Sequence, residues 1–121
     1  MIYFVGAGPG AVDLITVRGA NLIAQADCII YAGSLVNPDL LNLAREGAEV
    51  YDSAGMTLEE VIAVMMQAEE QGHTTVRLHT GDPSLYGAIR EQIDVLLDCG
   101  FDFQVVPGVS AFASAAAELG V

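Results

Sequence analysis

Hydrophobic positions along this chain come in two alternating rhythms, short β-rich runs and longer stretches with helical spacing. Ile2 to Val5 predicts a first strand, closed by the loop Gly6-Ala7-Gly8-Pro9-Gly10. Thr16 can cap a helix running to about Gln25, with Val17, Ala20 and Ile23 turned inward. Cys28 to Tyr31 is apolar without alternation, as expected for a strand buried on both faces. Asn37-Pro38 opens a short helix through about Arg45, and Glu49 to Tyr51 makes a third strand. Thr57 with Glu60 spells a capping box for a helix through about Gln71, ended by Gly72. Its buried stripe is Leu58, Val61, Ile62 and Met65, methionine serving there as core filler. Thr75 to His79 is the fourth strand, after which Thr80-Gly81-Asp82-Pro83 breaks the pattern. A helix from about Tyr86 to Asp98 turns Ile89, Ile93 and Leu96 or Leu97 inward. Phe101 to Val105 is the fifth strand, and Pro107-Gly108-Val109-Ser110 leads into an alanine-rich helix from Ser110 to Leu119.

Five strands alternating with helices predict an α/β domain: a five-stranded, mainly parallel sheet with helices on both faces. Ligands of such sheets bind beyond the carboxyl ends of the strands. That rule selects three loops, Gly6–Gly10, Thr80–Pro83 and Pro107–Ala111, and predicts that they share one rim. The small-residue face of the last helix suits close packing, and Gly120-Val121 follow it without an evident stop. We expect the chain to be cut from a longer protein.

Composition narrows the partners. At 121 residues and 53% apolar, the chain has material for one domain with a single core. Sixteen acidic residues face four arginines and no lysine, for a net charge of −12. Such a surface repels phosphate backbones and anionic lipid, so neither nucleic acid nor membrane is the expected partner. Cys28 and Cys99 lack C-x-x-C spacing and are expected to act as small hydrophobes in a reducing compartment. Met1 leads into a strand with no basic stretch or apolar signal core, which points to the cytoplasm.

The loop Gly6-Ala7-Gly8-Pro9-Gly10-Ala11 fits G-x-G-x-x-(G/A) after a strand, the start of a dinucleotide site. Against that, Tyr31-Ala32-Gly33 offers no acid for ribose hydroxyls at the end of strand two. Pro9 also removes an N–H from a loop that would present such groups to pyrophosphate. A nucleotide, another ligand and a plain tight turn all remain open for this loop. No G-x-x-x-x-G-K-[ST] or G-x-S-x-G segment is present, and Ser34, Ser84, Ser110 and Ser114 have no patterned histidine partner. His73 and His79 lack metal spacing, so no metal is expected. His73 follows Gly72 in a loop and should be solvated. His79 ends a strand on the ligand rim, where a functional role competes with that of a hydrogen-bonded structural residue. Asp82 can cap the next helix or make an Asx turn, but it shares the rim with two glycine loops.

Taken together, the blocks resemble the tetrapyrrole (corrin/porphyrin) methylase family. They are Val5-Gly6-Ala7-Gly8-Pro9-Gly10 with Asp13-Leu14-Ile15-Thr16; Ala26-Asp27; Tyr31 with Ser34-Leu35-Val36; Gly81-Asp82-Pro83 with Tyr86-Gly87; and Val106-Pro107-Gly108-Val109-Ser110-Ala111. Tyr31 to Val36, Ser53 to Met56 and His79 to Pro83 look most like the group that methylates carbon 11 of precorrin-4. Family members acting on uroporphyrinogen carry an acid after the strand-two tyrosine and a lysine after strand three, where this chain has Ala32 and Asp52.

The resemblance implies a two-domain enzyme of cobalamin (corrin) biosynthesis, expected as a homodimer, of which residues 1–121 form the amino-terminal domain and the second domain is absent. It implies S-adenosylmethionine as methyl donor and a precorrin or cobalt-precorrin as acceptor. By the same resemblance Pro9, Gly81, Asp82, Leu85, Ser110 and Ala111 would hold the donor, with His79 and Thr80 as candidates for orienting substrate or moving a proton. Because the sulfonium is already activated, such a site needs alignment and water exclusion more than catalytic side chains. The acidity sits awkwardly with a polycarboxylate substrate, since only Arg18, Arg45, Arg77 and Arg90 carry positive charge. A nucleotide-binding domain built on Gly6, Gly8 and Ala11, and a folded fragment with no activity of its own, are the alternatives.

Overall fold

The computed structural model describes residues 1–8, 14–33, 36–79 and 89–108. Five parallel strands form one sheet in the order β3-β2-β4-β1-β5: β1 (Ile2–Gly6), β2 (Cys28–Tyr31), β3 (Glu49–Asp52), β4 (Thr75–His79) and β5 (Phe103–Val106). Three α-helices accompany it among the described residues, α1 (Val17–Gln25), α2 (Leu58–Glu70) and α3 (Arg90–Asp98), with 3-10 turns at Pro38–Leu43 and Ser53–Gly55. The expected architecture is present, with helices on both faces.

The distribution of helices follows from connection handedness. Right-handed crossovers put connections that run opposite ways along a sheet on opposite faces. The steps β1 to β2 and β2 to β3 run one way, and their connections, α1 and the Pro38–Leu43 turn, pack on one face. That core holds Val5, Ile23, Ile29, Leu40, Val76 and Leu78. The steps β3 to β4 and β4 to β5 run the other way, and α2 and α3 cover the second face. Ile2, Phe4, Ile30, Ile62, Met65 and Leu96 meet there, with Phe4 and Phe103 edge-to-face at 5.9 Å.

Most element starts follow their caps. Thr16 accepts from Gly19 N at 3.0 Å, and the Thr57–Glu60 capping box closes with both bonds. Asp27 ties the amino ends of the strands together, since its carboxylate accepts from Thr74 N at 2.8 Å and pairs with Arg45 at 2.6 Å.

Four expectations change. Val17 is 78% exposed rather than inward, because α1 docks through Gly19, where a Cβ would stand 3.1 Å from Val5. The inward stripe is therefore Gly19, Leu22 and Ile23, with Ala20 half-buried. The segment after Asn37 is a 3-10 turn ending at Leu43, not a helix to Arg45. β5 begins at Phe103, since Phe101 N is spent on the carbonyl of Leu96 at the end of α3. Cys28 is buried as expected, but Cys99 is exposed, because it caps the solvent-facing end of α3. On α3, Leu96 is the inward leucine and Leu97 points outward. The alanine-rich helix expected from Ser110 and the Tyr86 end of α3 lie outside the described residues.

Candidate functional site

All strands being parallel, their carboxyl ends share one edge of the sheet. Two of them, β1 and β4, are hydrogen-bonded neighbours in the middle, with Gly6 in register with His79. The connection leaving β1 goes to the α1 face, and the one leaving β4 goes to the α3 face. Adjacent strands whose connections diverge open a crevice between them, the usual ligand position of an open α/β sheet. Two of the three loops selected from the sequence thus start side by side at this point. The third follows Val106, which pairs with Val5.

Local structure sharpens the rim. Ala7 N donates to the carbonyl of His79 at 2.6 Å, carrying the β1–β4 ladder one step past the strand ends. Gly8 then turns with φ +82, a conformation suited to glycine, and a Cβ there would stand 3.2 Å from the Leu14 carbonyl. Further along the edge, Ser53 Oγ donates to the Tyr31 carbonyl at 3.0 Å, and Asp52 accepts from Ala54 N at 2.9 Å. Asp52 thereby caps its own turn. No acid closes β2, whose last residue is Tyr31, so a ribose-binding acid at that strand tip is missing.

His79 is the one sequence-selected site residue among those described. It is half-buried, and its Nε2 is buried without a hydrogen-bond partner. Burial first, then the charge of Arg77, lowers its pKa to about 4, so the ring is neutral at neutral pH. Thr80, Pro9, Gly81, Asp82, Leu85, Ser110 and Ala111 lie outside the described residues. His73 is exposed, as expected of a loop residue.

Two residues that the sequence reading did not place at the site adjoin it, Arg77 next to His79 on the same strand face and Gln92 through its bond to Arg77. Arg77, two positions earlier on β4, is 5% exposed, and burial lowers its pKa to about 10. Its Nε donates to Gln92 Oε1 at 3.3 Å, and Nη1 makes longer contacts to the Ile30 carbonyl at 3.4 Å and the Leu78 carbonyl at 3.5 Å. The signal existed: strand alternation puts Arg77 and His79 on one face, and helical spacing puts Gln92 between Ile89 and Leu96.

A polar cavity of about 110 Å³ opens at the other edge, lined by Cys28, Glu49, Tyr51, Gln67, Gln71 and His73. It sits at the amino ends of β2 and β3, away from the crevice, and we do not assign the site there. Among the described residues, no group of three or more His, Cys, Asp or Glu is placed to hold a metal, and no helix is long and apolar enough to cross a membrane.

Comparisons with known proteins agree with this geometry. The family model for Tetrapyrrole (Corrin/Porphyrin) Methylases matches residues 1–121. The cobalt-precorrin-4 C(11)-methyltransferase of Methanocaldococcus jannaschii is 56% identical over 120 residues, covering 99% of this chain and 46% of that protein. A crystal structure of a cobalt precorrin-4 methyltransferase of cobalamin biosynthesis superposes with a TM-score of 0.94 at 49% identity, over 98% of this chain and 50% of that one. A uroporphyrin-III C-methyl transferase from Thermus thermophilus, complexed with S-adenyl homocysteine, gives 0.78 at 32% identity, over 95% and 47%. The chain therefore spans about half the length of the relatives it matches. On its full-length match and its sheet topology, the chain belongs to the tetrapyrrole (corrin/porphyrin) methylases.

Proposed function

We propose that this chain is the amino-terminal domain of a two-domain, homodimeric methyltransferase of cobalamin biosynthesis. Its reaction is methyl transfer from S-adenosylmethionine to carbon 11 of precorrin-4 or cobalt-precorrin-4. The observation that carries the reading is the adjacency of β1 and β4, the ligand position expected of such a sheet, in a chain 56% identical over 120 residues to an enzyme named for that reaction. The described residues suit a polar organic ligand held largely by backbone: Gly8 turns tightly at the crevice, and the buried His79 Nε2 has no partner. Pro9, Gly81, Asp82, Leu85, Ser110 and Ala111 hold the donor in this reading. When bound, S-adenosylmethionine supplies a methyl group already activated by its sulfonium charge.

His79 and Thr80 then face the acceptor. A ring whose pKa lies near 4 is a poor base at neutral pH, so His79 orients the tetrapyrrole by a hydrogen bond rather than storing a proton. Alignment of donor and acceptor is the larger part of what such a reaction needs. The test is calorimetry with S-adenosylhomocysteine on the full-length protein and on Asp82→Ala, together with turnover of precorrin-4. Binding weakened tenfold or more, about 1.4 kcal/mol, is expected for the variant. Unchanged binding, or a bound donor in the cavity at Cys28 and Glu49, would refute the assignment.

A further inference from the structure

The second face of β4 carries a line of polar side chains. Val76 and Leu78 point to the α1 face, which leaves Thr75, Arg77 and His79 on the α2–α3 face. Arg77 is buried there, yet among the described residues its bonds run to Gln92 and two backbone carbonyls, all uncharged. The ion pairs among the described residues are Met1–Glu69, Arg45–Asp27 and Arg90–Asp94, and none includes Arg77. In a chain with 16 acids, the acceptor chosen for this guanidinium is an amide. Two positions further along stands His79, its Nε2 buried and unpartnered.

Of the groups that ionise on the other elements of this face, Tyr51 of β3 donates its hydroxyl to Glu49, a bond that pushes its pKa up and keeps it uncharged, and Glu69 of α2 is paired with the Met1 ammonium. β1 contributes Ile2, Phe4 and Gly6, α2 contributes Val61, Ile62 and Met65, and α3 contributes Ile89, Gln92 and Leu96. β2 contributes Ile30 and Cys28, and Cys28 lies at the far end beside Thr75, its thiol pushed up to about 11 and so uncharged. Arg77 is the one charged neighbour of His79 among the described residues.

We infer that Arg77 is a positioning residue: with Gln92, an uncharged amide, as its side-chain partner among the described residues, the guanidinium adds to burial in holding the His79 ring uncharged and free to hydrogen-bond to the tetrapyrrole. The role in substrate binding rests on the function proposed above, whereas control of the ring's charge does not. Residues two apart on one strand face are about 7 Å from each other, where a unit charge in a protein interior shifts a titration by about one unit or more. Burial accounts for the larger part of the displacement of His79, so removing the charge raises its pKa from about 4 only partway toward the free value.

The experiment is an NMR titration of the His79 imidazole in the full-length protein, assigned with His79→Asn. Gln92→Glu places a carboxylate where the amide now accepts from Arg77 and should raise the His79 pKa by about one unit. Arg77→Met, which removes the charge, should shift it the same way, and Arg77→Lys should leave it low. An unchanged titration in a folded Gln92→Glu or Arg77→Met protein overturns the inference. KM for the tetrapyrrole extends the test to function. It should be flat between pH 5.5 and 8 in the natural protein, as expected on the values above, and should rise toward the acid end in Gln92→Glu. Should His79→Asn leave KM unchanged while the titration still shifts, the substrate reading fails and the electrostatic inference stands.

Discussion

Gly33 is where the rim should be most sensitive to a single methyl group. It has φ +57, a left-handed conformation, and is buried at the end of β2. A Cβ built there would lie 2.7 Å from the Ala54 Cβ and 3.1 Å from Asp52 Oδ1. Two costs follow from Gly33→Ala. Left-handed backbone costs a non-glycine residue roughly 1–2 kcal/mol. Forcing two methyl groups apart from 2.7 Å displaces the Ser53–Gly55 turn, at about 1–2 kcal/mol by analogy with overpacked cores. The expected loss is about 2–4 kcal/mol, read as a lower urea midpoint at constant slope. A double-mutant cycle separates the terms, because adding Ala54→Gly removes the contact but not the backbone cost. Coupling of about 1–2 kcal/mol in favour of the pair is expected. A loss below about 0.5 kcal/mol, or no coupling, would mean that the β2 and β3 rim turns are not interlocked as described.

Two further outcomes follow from the titrating groups. Cys28, raised to about 11 by burial and then by Glu49, should resist iodoacetamide at neutral pH until the protein unfolds, while exposed Cys99 is alkylated; mass spectrometry of equal labelling at both would contradict the packing. Acid should destabilise the fold in two steps. His79 is lowered from 6.5 to about 4, so between these values the unfolded state binds more protons and stability falls as pH falls, at up to about 1.4 kcal/mol per unit. Asp27 is held below 3.8 by its bonds from Thr74 and Arg45, so its contribution is present above that value and is lost on further acidification. Urea unfolding between pH 7 and pH 4 should show a shallower slope in His79→Asn, and an identical slope would exclude His79 as the source.

Much of this fold is legible because its punctuation is local. The capping box at Thr57, the glycine at position 72 and the unbroken apolar run of β2 each speak for their own segment. What stayed hidden depends on partners far away in the chain. Val17 looks like a core residue until Gly19 is seen to seat α1 against Val5, and no periodicity reports that approach. The loops of the candidate site could be selected from strand ends, but the adjacency of β1 and β4 is a fact of sheet order alone. Arg77 is a similar case. One charged residue in an apolar strand is visible, but whether it meets a carboxylate or an amide depends on Gln92, on another element.

The strand order also sets a timetable for folding. β1 is made first, yet it lies inside the sheet, with Ile2 facing Thr75 on one side and Phe103 on the other. Until β4 has been synthesised, Ile2, Phe4 and Val5 have no strand to pair with, so early chains expose an apolar segment with both edges open. Closing loops of that length is entropically slow, and it favours folding late in synthesis rather than strand by strand. A nascent chain arrested before β4 should therefore be protease-sensitive throughout and bound by chaperones, and one arrested beyond β5 should not.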